Sequence, residues 1–130
     1  MTESTGVTPL RVDVFSRLCT SRSLLEDVSA KWGLLALVAL QDATLRFGEL
    51  RRRVDGVSEK MLSQTLQVLE RDGLVVREVQ SSIPPHVEYS LTPLGREVAG
   101  RALGLIGLLE DHVDDVVAAR ERYDARGARG

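Results

Sequence analysis

The stretch FGELRRRVDGVSEKMLSQTLQVLERDGLV, Phe47 to Val75, decides how this chain folds. Its apolar residues fall into two helical periodicities separated by a turn. Phe47, Leu50 and Val54 recur at spacings of three and four, so they share one helix face, and Arg51, Arg52 and Arg53 fan across the rest of that helix. Asp55-Gly56 marks a turn. Ser58 then stands where a side-chain oxygen can cap a second helix, with Glu59 in its first turn complementing the helix dipole. Leu62, Leu66 and Leu69 form the buried stripe of that second helix, with Met61, Thr65 and Val68 beside it, and Gly73 supplies the left-handed stop.

Downstream, LVVREVQ (Leu74–Gln80) and VEYSL (Val87–Leu91) alternate as strands. Pro84-Pro85 between them cannot continue a ladder, which predicts a stiff, protruding tip. Thr92-Pro93 opens a last helix, expected to run from Leu94 towards Tyr123 with Val98, Ala102, Leu105, Leu109, Val113 and Val116 as its apolar stripe. Upstream, Leu10–Leu18 reads as a short helix or an arm. Ser23 is the expected cap of a helix that passes through Leu24, Leu25, Val28, Trp32, Leu37 and Leu40 and stops near Gln41–Asp42. Residues 43–47, ATLRF, are a connection with room for a single extended segment. The expected organisation is a mobile segment over 1–9, one domain over 10–125 and a frayed tail over 126–130. The expected fold class is mainly α with a small β-hairpin wing (α+β), a winged helix-turn-helix with further helices at its N- and C-terminal ends, which the family resemblance given below implies are dimerisation helices.

The bulk properties fit. The chain has 130 residues, 43% hydrophobic and 28% charged, which suits one soluble domain with a modest core. No apolar run reaches the ~18 residues of a membrane span, and the N-terminus lacks a secretory pattern, so cytoplasm is the default. A net charge of −2 weighs mildly against nucleic acid, but location matters more than the total. From Arg46 to Arg96 eight Lys/Arg face seven Asp/Glu, while from Glu110 to Gly130 six acids face four Arg. The acidity lies partly at the C-terminal end, leaving room for a basic face elsewhere. The single Cys, Cys19, excludes an intramolecular disulfide and a Cys-cluster metal site. His112, in EDHVDD, has no second His or Cys to complete a metal shell, so a solvated acidic face is the expectation there. No nucleophile–base set and no phosphate-cradling Gly loop point to an enzyme or a cofactor.

A helix pair followed by a pointed hairpin can bind duplex DNA, the second helix entering the major groove and the wing lying on the adjacent backbone or minor groove. Once the Leu stripe is buried, Glu59, Lys60, Ser63, Gln64 and Gln67 remain on the outer face. Gln pairs with adenine edges, Lys with guanine, and Ser with bases or phosphate. Arg46, Arg52, Arg53 and Arg77 are candidate phosphate clamps, which position without reading sequence. The DNA-binding set is therefore Arg46, Arg52, Arg53, Ser58, Lys60, Ser63, Gln64, Gln67 and Arg77, with His86 on the wing. For any one of these, the competing reading is an ordinary solvated side chain. The competing function is a winged helix used as a protein-interaction module, which calls for an uncharged or acidic recognition surface; Lys60 and the Arg set speak against it.

The apolar stripe of the last helix lies beyond a complete winged domain and needs something to bury it. Gly100, Gly104 and Gly107 keep part of that surface low enough for another backbone. A second copy of the chain is one way to cover it, and folding back onto its own domain is the other.

Lys31-Trp32, Arg46-Phe47-Glu49-Leu50, Ser58…Met61-Leu62, Asp72-Gly73-Leu74, Pro84-Pro85 and Tyr89-Ser90-Leu91-Thr92 stand in an order and spacing that resemble the HxlR type of MarR-related transcriptional regulator, over roughly Cys19 to Gly95. The resemblance implies a DNA-binding homodimer, most often a repressor, joined through its N-terminal and long C-terminal helices and reading a palindromic site. It also implies an effector, an oxidant, an electrophile or a small molecule. Many members carry an N-terminal Cys that senses oxidants or electrophiles, and Cys19, thirteen residues before Trp32 and flanked by Arg17 and Arg22, stands where that residue would be. Sensing chemistry asks for a thiolate favoured by nearby positive charge and partial exposure; the alternative is a half-buried small apolar residue. The sequence departs from the pattern at Thr20, where Pro often follows the Cys, at Ser29-Ala30 in place of Gly-Gly, and at His86 in place of Arg after the two Pro.

Overall fold

Capping side chains fix where the central elements begin and end. The computed structural model describes residues 13–129. In chain order the elements are α1 (Thr20–Ser29), α2 (Lys31–Ala39), β1 (Leu45–Arg46), α3 (Phe47–Arg53), α4 (Glu59–Arg71), β2 (Val75–Gln80), β3 (His86–Leu91), α5 (Pro93–Asp111) and α6 (Val113–Arg129).

The Ser58 hydroxyl oxygen accepts a hydrogen bond from the Met61 amide at 3.1 Å and so satisfies one of the orphan donors at the start of α4. The helix ends at Gly73, whose φ of 78° is open to glycine at no steric cost, and the Leu74 amide closes back on the Leu69 carbonyl at 3.0 Å. Gly56, with φ 93°, makes the turn between α3 and α4. Leu37 of α2, Leu50 of α3, Leu62 and Leu69 of α4, and Leu74 are the largest fully buried side chains. Each stabilises the fold by about 1.5–3 kcal/mol relative to exposure. Trp32 packs partly buried against this core.

Thr92 ties the end of α4 to the start of α5. Its hydroxyl accepts from the Gly95 amide at 2.9 Å and donates to the Gly73 carbonyl at 2.7 Å. A Cβ on Gly95 would run into the Leu74 backbone, so glycine is what permits this approach.

The wing is larger than a two-stranded hairpin. The sheet has the antiparallel order β1-β3-β2, with Leu45 and Arg46 opposite Tyr89 and Glu88 on one side of β3. On the other side Arg77 faces Tyr89, Glu78 faces Glu88, and Gln80 faces His86. The extended segment expected within 43–47 is thus a third strand, covering the edge of β3 that a bare hairpin would leave open.

Three expectations about the helices are corrected. The N-terminal helix starts at Thr20 with Cys19, not Ser23, at the cap; the Ser23 hydroxyl donates instead to the Thr20 carbonyl at 2.9 Å. It does not run on to Gln41–Asp42, because Ala30 adopts extended geometry (φ −60°, ψ 141°) and splits it into α1 and α2. Gly33 makes that tight junction feasible, since a Cβ there would lie 2.5 Å from the Asp27 carbonyl oxygen. The last helix likewise breaks at His112 (φ −119°, ψ 17°), whose Nδ1 lies 3.0 Å from the Leu108 carbonyl oxygen, and α6 continues through residues 126–129. Of the expected arm Leu10–Leu18, residues 14–18 form turns and a bend. Residues 10–12 and the mobile 1–9 segment lie outside the described residues. Among the described residues, no helix is long and apolar enough to cross a membrane.

Candidate nucleic-acid interface

With Leu62, Leu66 and Leu69 turned inward, α4 presents two flanks and an outer ridge. On the flank facing the wing, a notch of about 400 Å³ is lined by Ser63, Leu66, Gln67, Glu70, Arg77 and Tyr89. It brings together three residues of the predicted set, Ser63 and Gln67 from α4 and Arg77 from β2. On the opposite flank, Gln64 lines a smaller notch of about 240 Å³ with Met61, Thr65 and Val68 against α1. Lys60 lies exposed on α4. Gln64 therefore lines a different notch from Ser63 and Gln67, although it lies one turn before Gln67 on the exposed face of the helix.

A third notch, about 510 Å³, lies at the turn and is lined by Gly48, Arg51, Arg52, Asp55, Gly56, Val57 and Ser58. Arg52 and the capping Ser58 meet there, beside the positive end of the α4 dipole, where an anion is favoured. Arg53 is exposed in the last turn of α3, and Arg46 is exposed at the start of that helix, where its amide donates to Glu49 Oε1 at 2.8 Å. His86 lies further along the wing, half-buried, its ring nitrogens each 3.0 Å from Ser82 Oγ and Glu88 Oε2.

The structure adds residues that sequence reasoning passed over. Arg51, which the sequence shows only as one of three arginines on α3, is the first of these. Its Nε donates to the Val57 carbonyl at 3.4 Å and its Nη1 to Glu59 Oε1 at 3.2 Å, so it braces the turn rather than pointing outward. Glu70 and Tyr89 complete the notch at the wing. Glu70 was findable, three and seven residues beyond Gln67 and Ser63 on one helical face; Tyr89 required the strand register.

Asp72, the C-cap residue of α4, has one carboxylate oxygen, Oδ2, buried without a partner. Burial first, then a hydrogen bond and the charge of Asp27 on α1, hold its carboxyl above the usual carboxylate range. Cys19, half-buried at the cap of α1, has its Sγ 3.0 Å from the Ser21 hydroxyl. That hydrogen bond, helped by the Ser21 and Arg22 amides, pulls the thiol below its ordinary value against the opposing effects of burial and Asp13.

Away from these notches, one part of the surface is apolar. A groove of about 570 Å³ runs between α1–α2 and α5, lined by Leu25, Val28, Leu34, Leu94, Val98 and Leu105 with Glu97 and Arg101 at its edge. Leu105, Leu108, Leu109, Val113, Val116 and Val117 continue an exposed apolar surface along α5 and α6. Side chains added at Gly100, Gly104 or Gly107 would meet nothing within 4 Å.

The profile of the HxlR-like helix-turn-helix matches residues 27–117. The uncharacterised HTH-type transcriptional regulator YtfH of Escherichia coli (strain K12) is 48% identical over 113 residues, covering 87% of this chain and 90% of that protein. Among solved structures, the transcriptional regulator YtfH from Salmonella typhimurium superposes with a TM-score of 0.77 at 50% identity, over 82% of this chain and 96% of that one. The redox regulator HypR in its oxidised form superposes with a TM-score of 0.66 at 35% identity, over 72% and 96%.

Proposed function

The chain belongs to the HxlR-like helix-turn-helix family, and from that membership we propose that this transcriptional regulator represses by occupying a palindromic promoter site as a homodimer. The observation that carries the reading is the wing-side flank of α4, where Ser63 and Gln67 share a notch with Arg77. Base-reading side chains and a cation suited to phosphate then act within one surface. Arg52 and Ser58 hold the backbone at the turn. Arg46, Arg53, Lys60 and Gln64 extend the contact on either side, and His86 reaches it from the wing.

Self-association follows from the apolar surface of α5 and α6. A run of half-exposed Leu and Val along two successive helices is costly in water and is relieved by a second copy. The two-fold axis of such a pair would match two half-sites of DNA.

Release by an oxidant or electrophile is supported by Cys19, whose thiol is shifted towards thiolate by Ser21, and by the likeness to a redox regulator. A small molecule in the groove between α1–α2 and α5 is the other effector that this surface supports. The domain, on this reading, spans 10–125.

The test is selection of bound duplexes from a random pool, with and without oxidant. The reading requires a two-fold symmetric site, lost from the selected pool when oxidant is present. Recovery of no enriched sequence would remove the specific regulator, and a symmetric site unaffected by oxidant would remove the redox effector alone.

A further inference from the structure

We infer that the wing carries a proton-binding site, Ser82–His86–Glu88, which sets the charge and the closure of the hairpin tip and through them its grip on DNA. His86 Nε2 lies 3.0 Å from Glu88 Oε2, and a carboxylate only accepts, so Nε2 carries a hydrogen. The Ser82 hydroxyl donates to the Pro84 carbonyl at 3.1 Å. It has one hydrogen to give, so towards His86 Nδ1, 3.0 Å away, Ser82 Oγ can only accept. All three contacts are satisfied together when both ring nitrogens are protonated, and the ring is then a cation.

Loss of the Nδ1 proton to solvent forces a choice. Ser82 can turn its hydrogen to Nδ1, which leaves the Pro84 carbonyl without its donor, or keep Pro84 and leave Nδ1 facing a lone pair. One proton thus decides whether the loop that carries Ile83, 99% exposed at the tip, is tied back on itself. The His86 side chain is only 20% exposed, so the ring lies along the strand and acts through the tip.

The charges facing this site come from all three strands. Glu88 lies on β3 itself. Glu78 on β2 and Arg46 on β1 are the register partners of Glu88. Gln80 is the partner of His86, and its amide donates to Glu78 Oε1 at 3.3 Å. With the ring neutral, this face carries two carboxylates and one guanidinium; with the ring charged, the signs balance. An uncompensated carboxylate near DNA phosphate repels it, and the added proton removes that excess. Because the ring gains or loses this proton, the wing is a proton-responsive part of the interface.

The DNA half of this inference rests on the proposed function, and the tip half does not, so two measurements are made on the full chain. The first follows the His86 ring and the Ser82 and Ile83 signals by NMR from about pH 8 to pH 5.5, with His86→Gln to separate His86 from His112. The expected result is that the tip signals move with the His86 midpoint, and that in Ser82→Ala the Ile83 signal no longer follows it. A tip that stays still while His86 titrates overturns the closure. The second measures anisotropy of a labelled random-sequence duplex over the same pH range. Wild type is expected to bind up to about fivefold tighter per wing at the acid end, while His86→Gln stays weak and His86→Arg stays tight, both without that response. The same pH response in wild type and His86→Gln overturns the DNA half. Failure of every variant to bind at any pH overturns that half together with the proposed function, while the tip result still decides the closure.

Discussion

Arg51 and Glu59 meet across the turn between α3 and α4, Nη1 to Oε1 at 3.2 Å. The same guanidinium donates through Nε to the Val57 carbonyl, just before the Ser58 cap. One side chain of α3 therefore grips both sides of the residue that starts α4. Both partners are substantially exposed, 46% and 73% for their side chains, so the pair adds little to stability. Its effect is on orientation, and it offsets the Glu59 carboxylate at the end of α4 where phosphate would approach.

Arg51→Ala is accordingly expected to lower stability by only about 0.2–1 kcal/mol while weakening duplex binding more than that loss accounts for. Glu59→Gln in the same chain should recover part of the affinity, because it removes the carboxylate that Arg51 no longer offsets. Thermal unfolding and anisotropy titrations of both single variants and the double variant measure the coupling. Additive losses in binding would contradict the bracing role.

Arg77 and Gln67 share a notch but should fail differently. Arg77→Ala removes the proposed phosphate partner, so affinity should fall by a similar factor on every duplex and the slope of log K against log salt should flatten by about 0.9 per wing. Gln67→Ala should cost about 1–3 kcal/mol only on the preferred base pair, which relaxes the selected sequence at one position in each half-site. Salt titrations and repeat selections separate the two outcomes.

The contrast between legible and illegible parts follows from the range of the interactions. Ser58, Gly73 and Thr92-Pro93 act on backbone within a few residues, so their sequence signals located the ends of α4 and the start of α5. The Leu62, Leu66 and Leu69 stripe needed only helical period. The break at Ala30 was hidden, because it depends on Gly33 admitting the Asp27 carbonyl, a contact between two helices that each read as one apolar run. The third strand was too short to show alternation, and its pairing is set by Tyr89 and Glu88, more than forty residues away in sequence. Arg51 was misjudged for the same reason: its partners lie beyond the turn, and no helical spacing connects them. Within the site, the polar face of α4 was readable as a set, but which notch each residue lines was not, since that depends on where the wing and α1 pack.

Asp72 should make stability depend on pH. Its carboxyl is held above the ordinary range, first by burial and then by Asp27, so the folded state favours the protonated form more than the unfolded state does. The stabilisation is fully present below the ordinary carboxylate pKa, about 3.9, and is lost as pH rises through the raised folded value. Asp72→Asn, which stays neutral, should therefore unfold at a higher temperature than wild type at pH 7, with the difference shrinking as pH falls towards about 4. An unchanged or lower unfolding temperature at pH 7 would show that this partly buried carboxylate is not a cost to the fold.

Cys19 offers the sharpest test of the redox proposal, because its thiol and the helix it caps can be probed separately. The Ser21 hydroxyl is the first cause of the lowered thiol pKa, and it lies 3.0 Å from Sγ. Alkylation by iodoacetamide, followed against pH, should reach half its maximal rate below the ordinary thiol value in wild type. In Ser21→Ala the midpoint should move up, because the thiolate loses its nearest donor. The two variants also divide the response to oxidant. Cys19→Ser should keep DNA affinity and become indifferent to oxidant, whereas Ser21→Ala should still respond, but more slowly at neutral pH, where less of its thiol is ionised. Duplex release by oxidant that is equally fast in wild type and Cys19→Ser would place the sensing chemistry on another group.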